Sequence, residues 1–224
     1  MIITIDGPVA TGKSTIAKKL AHEIGFIYLN TGAMYRGLTY GLLKDNIDLD
    51  DTEAIQSFLK NFTFDIKVKN GERRYFVGKD DATDAISSTS VTSNVSKVSA
   101  LDFVRKQLVT LQREVSEGVN AVVEGRDMGT VVFPNAELKI FLTGNTEVRA
   151  RRRYNELKKK YPEEFANLTL EETIKSIDER DHYDTTREIS PLRQAEDAYI
   201  VDTSHLSIDE VVSQILEYKE KTLD

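Results

Sequence analysis

The stretch Met1-Ile-Ile-Thr-Ile5-Asp6-Gly7-Pro8-Val9-Ala10-Thr11-Gly12-Lys13-Ser14-Thr15 decides the fold. Its first five residues are apolar and β-branched almost throughout, as a strand buried on both faces of a parallel sheet requires. Gly7 to Ser14 then sets two glycines, a lysine and a serine at the spacing of a phosphate-binding loop. Chemistry accounts for each position. Glycine lets the backbone curl until successive N–H groups point inward at anionic oxygens. The helix that follows adds the positive end of its dipole. Lys13 can reach β- and γ-phosphates, and the Ser14 hydroxyl can complete the shell of a Mg²⁺ ion held mostly by water and phosphate oxygens. The expected triphosphate site is therefore Gly7, Pro8, Val9, Ala10, Thr11, Gly12, Lys13, Ser14 and Thr15. A chance match in a surface turn would lack the strand before and the helix after.

Outward from this loop the chain alternates strands and helices. Ile16, Leu20 and Ile24 recur at i+4 with Ala17 and Ala21 beside them, and Gly25 stops that helix. Phe26-Ile-Tyr-Leu29 reads as the next strand. Ala121–Val123, Leu138–Leu142 and Tyr199–Val201 are further short apolar runs. Leu101, Val104, Leu108, Leu111 and Val115 mark one helix face, and Ile208, Val211, Val212 and Ile215 mark another after a capping Ser207. Five strands separated by helices predict a parallel sheet covered on both sides. One region has period two: Phe62, Phe64, Ile66 and Val68 alternate with polar residues, Asn70-Gly71 suits a type I′ turn, and Arg73–Val77 returns. This antiparallel hairpin is expected to be an insertion. Val91, Val95 and Val98 predict a helix in the Ser/Thr-rich stretch after it.

Composition narrows the function. The 224 residues carry 30 basic and 37 acidic side chains, a net charge of −7, and no cysteine. Disulfides, thiolate metal sites and a cysteine nucleophile are excluded. The acidic balance argues against nucleic acid as a partner. No run approaches the ~20 apolar residues of a membrane span, and the opening residues show no basic region followed by an apolar one, so no secretory leader is expected. A cytoplasmic, monomeric protein without a membrane partner is the expectation. The three histidines, His22, His182 and His205, have no ligand spacing.

In this acidic chain the arginines cluster. Arg36 follows the second strand, Arg126-Asp127 follows the third, Arg149 to Arg153 follow the fourth, and Arg180 and Arg187 flank Asp184. Carboxyl ends of strands are where open α/β sheets bind ligands. Guanidinium forks match phosphate oxygens, and phosphoryl transfer between two polyanions needs such groups. Arg151 and Arg152 read as ordinary surface residues. The guanine-reading Asn-Lys-x-Asp element and the Asp-x-x-Gly switch of GTPases are absent. Asp6 is either a carboxylate behind the metal or a turn residue.

Ile5-Asp-Gly-Pro8, Thr31-Gly-Ala-Met-Tyr35-Arg36, Glu124-Gly-Arg-Asp-Met-Gly-Thr-Val-Val-Phe-Pro134 and Arg187-Glu-Ile-Ser-Pro191 together make the chain resemble the bacterial cytidylate kinases. The resemblance implies a P-loop NTPase three-layer fold with a five-stranded parallel sheet, all in one kinase domain over 1–224. It implies a small antiparallel monophosphate-binding insertion at about 60–100 and a helical lid at about 149–168. It also implies ATP and CMP or dCMP as substrates, with Mg²⁺. Ser96, Arg105 and Asp127 would then read cytosine, with Thr31 and Arg187 near the base and Asp184 on the ribose. Arg36, Arg126 and Arg180 would hold the monophosphate, while Arg149 and Arg153 would close over the transferring group. Lys13, Arg126, Arg149, Arg153 and Arg180 would be the catalytic set, and Ser14 the metal ligand. Asn30, where an Asp is common, and the less glycine-rich Val9-Ala10 depart from the usual pattern. Another acceptor, such as UMP, AMP or a small hydroxylated metabolite, and a non-catalytic ATP switch are the rival readings.

Overall fold

The computed structural model describes residues 1–69 and 72–223. Along the chain run β1 (Ile2–Asp6), α1 (Lys13–Glu23), β2 (Ile27–Asn30), α2 (Thr31–Lys44), α3 (Thr52–Leu59), β3 (Phe64–Lys69), β4 (Glu72–Val77) and β5 (Asp80–Asp81). Then follow α4 (Thr89–Ser99), α5 (Asp102–Ser116), β6 (Ala121–Glu124), β7 (Leu138–Thr143), α6 (Thr146–Lys160), α7 (Leu170–Thr186), β8 (Tyr199–Asp202) and α8 (Ile208–Leu223). They form two compact units, one of Met1–Leu29 with Ser116–Asp224, the other Asn30–Val115.

The first unit holds the expected five-stranded sheet in the order β2-β6-β1-β7-β8. β1 lies between β6 and β7, parallel to both, with Ile5 beside Glu124 and Asp6 beside Phe141. The chain leaves β1 towards β2 and later reaches β7 on the other side. The carboxyl end of β1 is therefore a topological switch point, where loops part and leave a crevice. Ile3, Ile5, Val122, Leu138, Ile140 and Leu142 are buried in one core with Ile16, Ala17 and Leu20 of α1 and Val211, Val212 and Ile215 of α8. Each such Ile, Leu or Val side chain contributes about 1.5–3 kcal/mol by leaving water. Gly25 takes φ +69 and ends α1 as anticipated. Ser207 and Glu210 cap α8 reciprocally, at 3.3 and 2.8 Å. Ile208, placed on the apolar face by spacing, is 44% exposed.

In the second unit β3 pairs antiparallel with β4, from Phe64 opposite Val77 to Lys69 opposite Glu72. The type I′ turn expected at Asn70-Gly71 lies outside the described residues. A third strand, β5, extends the hairpin, which alternation did not reveal because it is two residues long. Phe64 stacks on Tyr75 at 5.9 Å between ring centroids. α2 comes so close to this sheet that a Cβ on Gly37 would meet the Phe64 ring at 2.6 Å. The valines of the Ser/Thr-rich stretch do form a helix, α4, capped by Ser88. Val91, Val95 and Val98 are buried, whereas Val115 at the end of α5 is 47% exposed.

Candidate active site

The phosphate loop is built as its sequence requires. Gly7 has φ +147, and a Cβ there would stand 2.3 Å from the Leu142 carbonyl, so the loop can cross β7 only as glycine. Ala10 (φ +59) and Gly12 (φ +89) also turn left-handed, the alternation that turns N–H groups towards an anion. α1 begins at Lys13, directly after the loop. The Lys13 Nζ donates to the Pro8 carbonyl at 2.5 Å and to Thr11 Oγ1 at 3.4 Å. Burial, and then Arg126 nearby, push its ammonium down to about 7, against the pull of Glu124, Asp184 and Asp6. Ser14 and Thr15 are exposed in the first turn of α1. Among the described residues no group of three or more His, Asp or Glu could hold a metal ion.

Asp6, the last residue of β1, is buried and holds a turn far along the chain. Its two carboxylate oxygens accept the N–H groups of Met128 and Gly129 at 2.9 and 2.7 Å. Burial pushes its carboxyl up to about 6 in spite of these two donors. The segment it holds is a wide π-type turn, with Val132 N–H on Asp127 O (3.1 Å) and Phe133 N–H on Met128 O (2.7 Å). Such turns cluster at functional sites. This one follows Arg126 and Asp127, so Asp6 ties those residues to the strand that carries the phosphate loop. Neighbouring Glu124 is buried and accepts the Tyr28 hydroxyl at 2.7 Å.

Around Asp184 the arginines converge. Its Oδ2 accepts Arg126 Nε at 2.8 Å and Arg180 Nε at 3.3 Å, and its Oδ1 lies 3.9 Å from Arg187 Nη1. Arg187 Nη2 is 3.9 Å from Asp127 Oδ1, and its Nε donates to Ser190 O at 2.8 Å. Asp184 is fully buried. Burial raises its carboxyl, but Arg126, Arg180 and Arg187 more than offset that and hold it below the ordinary range. Five residues named from the sequence thus form one network: Arg126, Asp127, Arg180, Asp184 and Arg187.

Arg149 is placed differently from Arg153. Its guanidinium is buried and donates to Gly144 O (2.9 Å), Val9 O (2.9 Å), Thr146 Oγ1 (3.0 Å) and Asp181 Oδ2 (2.5 Å). Arg153 pairs with Glu156 on the surface of α6 at 3.0 Å. Arg151 is an exposed partner of Glu147, but Arg152 anchors Thr203 O at 2.6 Å and so is structural.

The second unit carries the other four. Asn30 Oδ1 caps α2 by accepting Ala33 N–H at 2.9 Å, so the Asn at this position preserves the cap an Asp would make. Thr31, the first residue of α2, is buried. A Cβ on Gly32 would lie 3.0 Å from Arg36 Nη1, so that glycine makes room for the guanidinium. Arg105 is only 3% exposed, unlike a surface residue. It donates to Ser99 O at 3.1 Å, at the end of the helix carrying Ser96, and lies 5.3 Å from the Tyr35 ring centroid.

Sequence reasoning missed Asp181, Tyr28 and the stacking partner Tyr35. No spacing rule marks them, since their partners are remote in sequence or lie on another helix.

The cytidylate kinase family model matches residues 3–221. A cytidylate kinase of Protochlamydia amoebophila is 64% identical over 220 residues, covering 98% of this chain and 96% of that protein. One from Fusobacterium nucleatum is 45% identical, covering 99% and 98%. Among solved structures, shikimate kinase from Bacteroides thetaiotaomicron has a TM-score of 0.50 at 13% identity, covering 98% of each chain. An uncharacterized protein from Eubacterium ventriosum has 0.53 at 13% identity, covering 99% and 98%. These two likenesses concern the fold alone.

Proposed function

The chain belongs to the cytidylate kinase family, and we propose from that premise how its residues transfer the γ-phosphate of ATP to CMP or dCMP. The observation that carries the reading is that the phosphate loop with Lys13 follows β1 while Arg126 follows β6, whose Glu124 lies beside Ile5 of β1, so both leave the carboxyl ends of neighbouring strands. Cations supplied from the ends of two adjacent strands suit a site where donor and acceptor phosphates meet. The acceptor oxygen of CMP attacks the γ-phosphorus in line, and ADP leaves with the bridging oxygen. Lys13 follows the charge onto the β–γ bridge. Arg36, Arg126 and Arg180 bind the acceptor phosphate, and Arg149 and Arg153 close over the transferring group. An acceptor phosphate is already ionised, so no strong general base is needed.

Cytosine offers an amine donor and carbonyl and ring-nitrogen acceptors. Asp127 accepts from the amine, Ser96 and Arg105 serve the acceptors, Thr31 and Arg187 border the base, and Asp184 holds the ribose. Ser14 would hold a Mg²⁺ ion brought with ATP, which would supply charge neutralisation on the phosphates. The exposed Ser14 hydroxyl in the first turn of α1 suits a cation held chiefly by phosphate and water. The hairpin region, about 60–100, serves as the monophosphate-binding insertion, and about 149–168 as the lid of a monomeric, cytoplasmic enzyme. Among the described residues no helix is long and apolar enough to cross a membrane.

ADP release from Mg²⁺-ATP, measured with CMP, dCMP, UMP, AMP and GMP in turn, tests the reading. Stimulation by CMP and dCMP is expected, and abolished in a folded Lys13→Met variant. Preference for another monophosphate would overturn the cytosine assignments.

A further inference from the structure

Asp181 is a carboxylate to which the phosphoryl-transfer roles assign nothing. Its Oδ1 accepts the Val9 N–H at 3.0 Å and its Oδ2 accepts Arg149 Nη1 at 2.5 Å. The same Nη1 donates to the Val9 carbonyl at 2.9 Å, closing a ring of three contacts around one residue of the phosphate loop and holding the peptides on both sides of it. The two side chains are 17% and 6% exposed, so water competes weakly for these bonds. Arg149 also binds Gly144 O and Thr146 Oγ1. Through Asp181 the phosphate loop, α6 and α7 meet at a single carboxylate, and Arg149 ties in the loop after β7.

The residue after Val9 explains why such a clamp is needed. Ala10 adopts φ +59, a left-handed conformation that a residue with a Cβ keeps only when its surroundings impose it. A glycine would adopt it without help. The Val9-Ala10 pair, less permissive than the glycines more usual in such loops, therefore depends on a contact that pins the preceding peptide. Arg149, itself held by Asp181, supplies that contact at the Val9 carbonyl, and Asp181 holds the peptide before it through the Val9 N–H.

We propose that Asp181 is a positioning residue for the kinase reaction. It holds the peptides on both sides of Val9, one directly and the one before Ala10 through Arg149, so that Ala10 stays left-handed and the N–H groups that follow face the phosphates of ATP. The proposal rests on the kinase reading above. It touches neither CMP nor the transferring group, and acts through the loop and Arg149.

The test compares full-length wild type, Asp181→Ala, Asp181→Asn and the double variant Asp181→Ala/Ala10→Gly, with kcat and KM measured separately for ATP and CMP. Misplacing the loop by about 1 Å should lower kcat/KM for ATP roughly 10²-fold in Asp181→Ala, with KM for CMP within about twofold. Asp181→Asn retains an oxygen for the Val9 N–H and should lose roughly tenfold. Ala10→Gly should restore much of the loss in the double variant, which a carboxylate that merely stabilises the fold would not produce. If Asp181→Ala does not fold, Asp181→Asn with and without Ala10→Gly carries the same comparison. Wild-type kinetics in folded Asp181→Asn, a loss confined to KM for CMP, or no recovery with Ala10→Gly would each overturn the proposal. A wild type that phosphorylates no cytidine nucleotide would overturn the kinase reading instead.

Discussion

Replacing Asp184 by Asn keeps the shape of the side chain and removes the charge on which three arginines converge. Arg126 and Arg180 lose a shared acceptor oxygen at 2.8 and 3.3 Å, and Arg187 loses its ion partner at 3.9 Å. Removing one partner of a buried pair costs about 3–5 kcal/mol. Arg126 and Arg180 keep 21% and 27% exposure, so water recovers part of the loss and about 3 kcal/mol is the fitting value. For a chain of this size that is a fall in Tm of about 6–12 °C. The sign with pH follows from the depressed carboxyl. Its stabilisation is complete above the unfolded value of 3.8 and disappears as pH falls through the lower folded value. Thermal denaturation followed by circular dichroism should therefore show the full gap at pH 7 and a shrinking one below pH 3.8. A loss under about 1 kcal/mol at pH 7, the range of an exposed ion pair, would refute the account of Asp184 as the buried hub of the cluster.

Other perturbations probe the supports of the site. Asp6→Asn leaves one of the Met128 and Gly129 N–H groups without its acceptor, at about 1–3 kcal/mol. Because burial raises Asp6 to about 6, its contribution is full below 3.8 and is lost as pH rises through 6, so urea denaturation should find the gap to wild type narrowing over that window. Gly7→Ala places a Cβ against the Leu142 carbonyl, and the displaced loop should lower kcat roughly 10²-fold; turnover like wild type would mean the loop does not need this approach. Tyr28→Phe removes a buried donor from Glu124 and should cost about 1–3 kcal/mol in the same denaturation assay.

Most of the parallel sheet was legible in the chain, because a strand buried on both faces must be a continuous apolar run and a phosphate loop must carry its glycines and lysine at fixed spacing. The hairpin and α4 were legible too, from period two and from valines at helical intervals. Val115 and Ile208 misled for a physical reason: periodicity marks a face, but at the end of a helix nothing need cover it. The arginines could be counted in the sequence, yet not sorted. Whether an arginine meets solvent, as Arg151 does, anchors a strand end, as Arg152 does, or joins the Asp184 cluster depends on residues far away in the chain. Asp6 and Asp181 show the same division most clearly. Local sequence dictated the loop they serve, since φ and spacing are properties of neighbours. Tertiary structure alone decided that Asp6 holds the turn 122 residues away and that Asp181 holds Val9 172 residues away, because a carboxylate finds its donors in space and not along the chain.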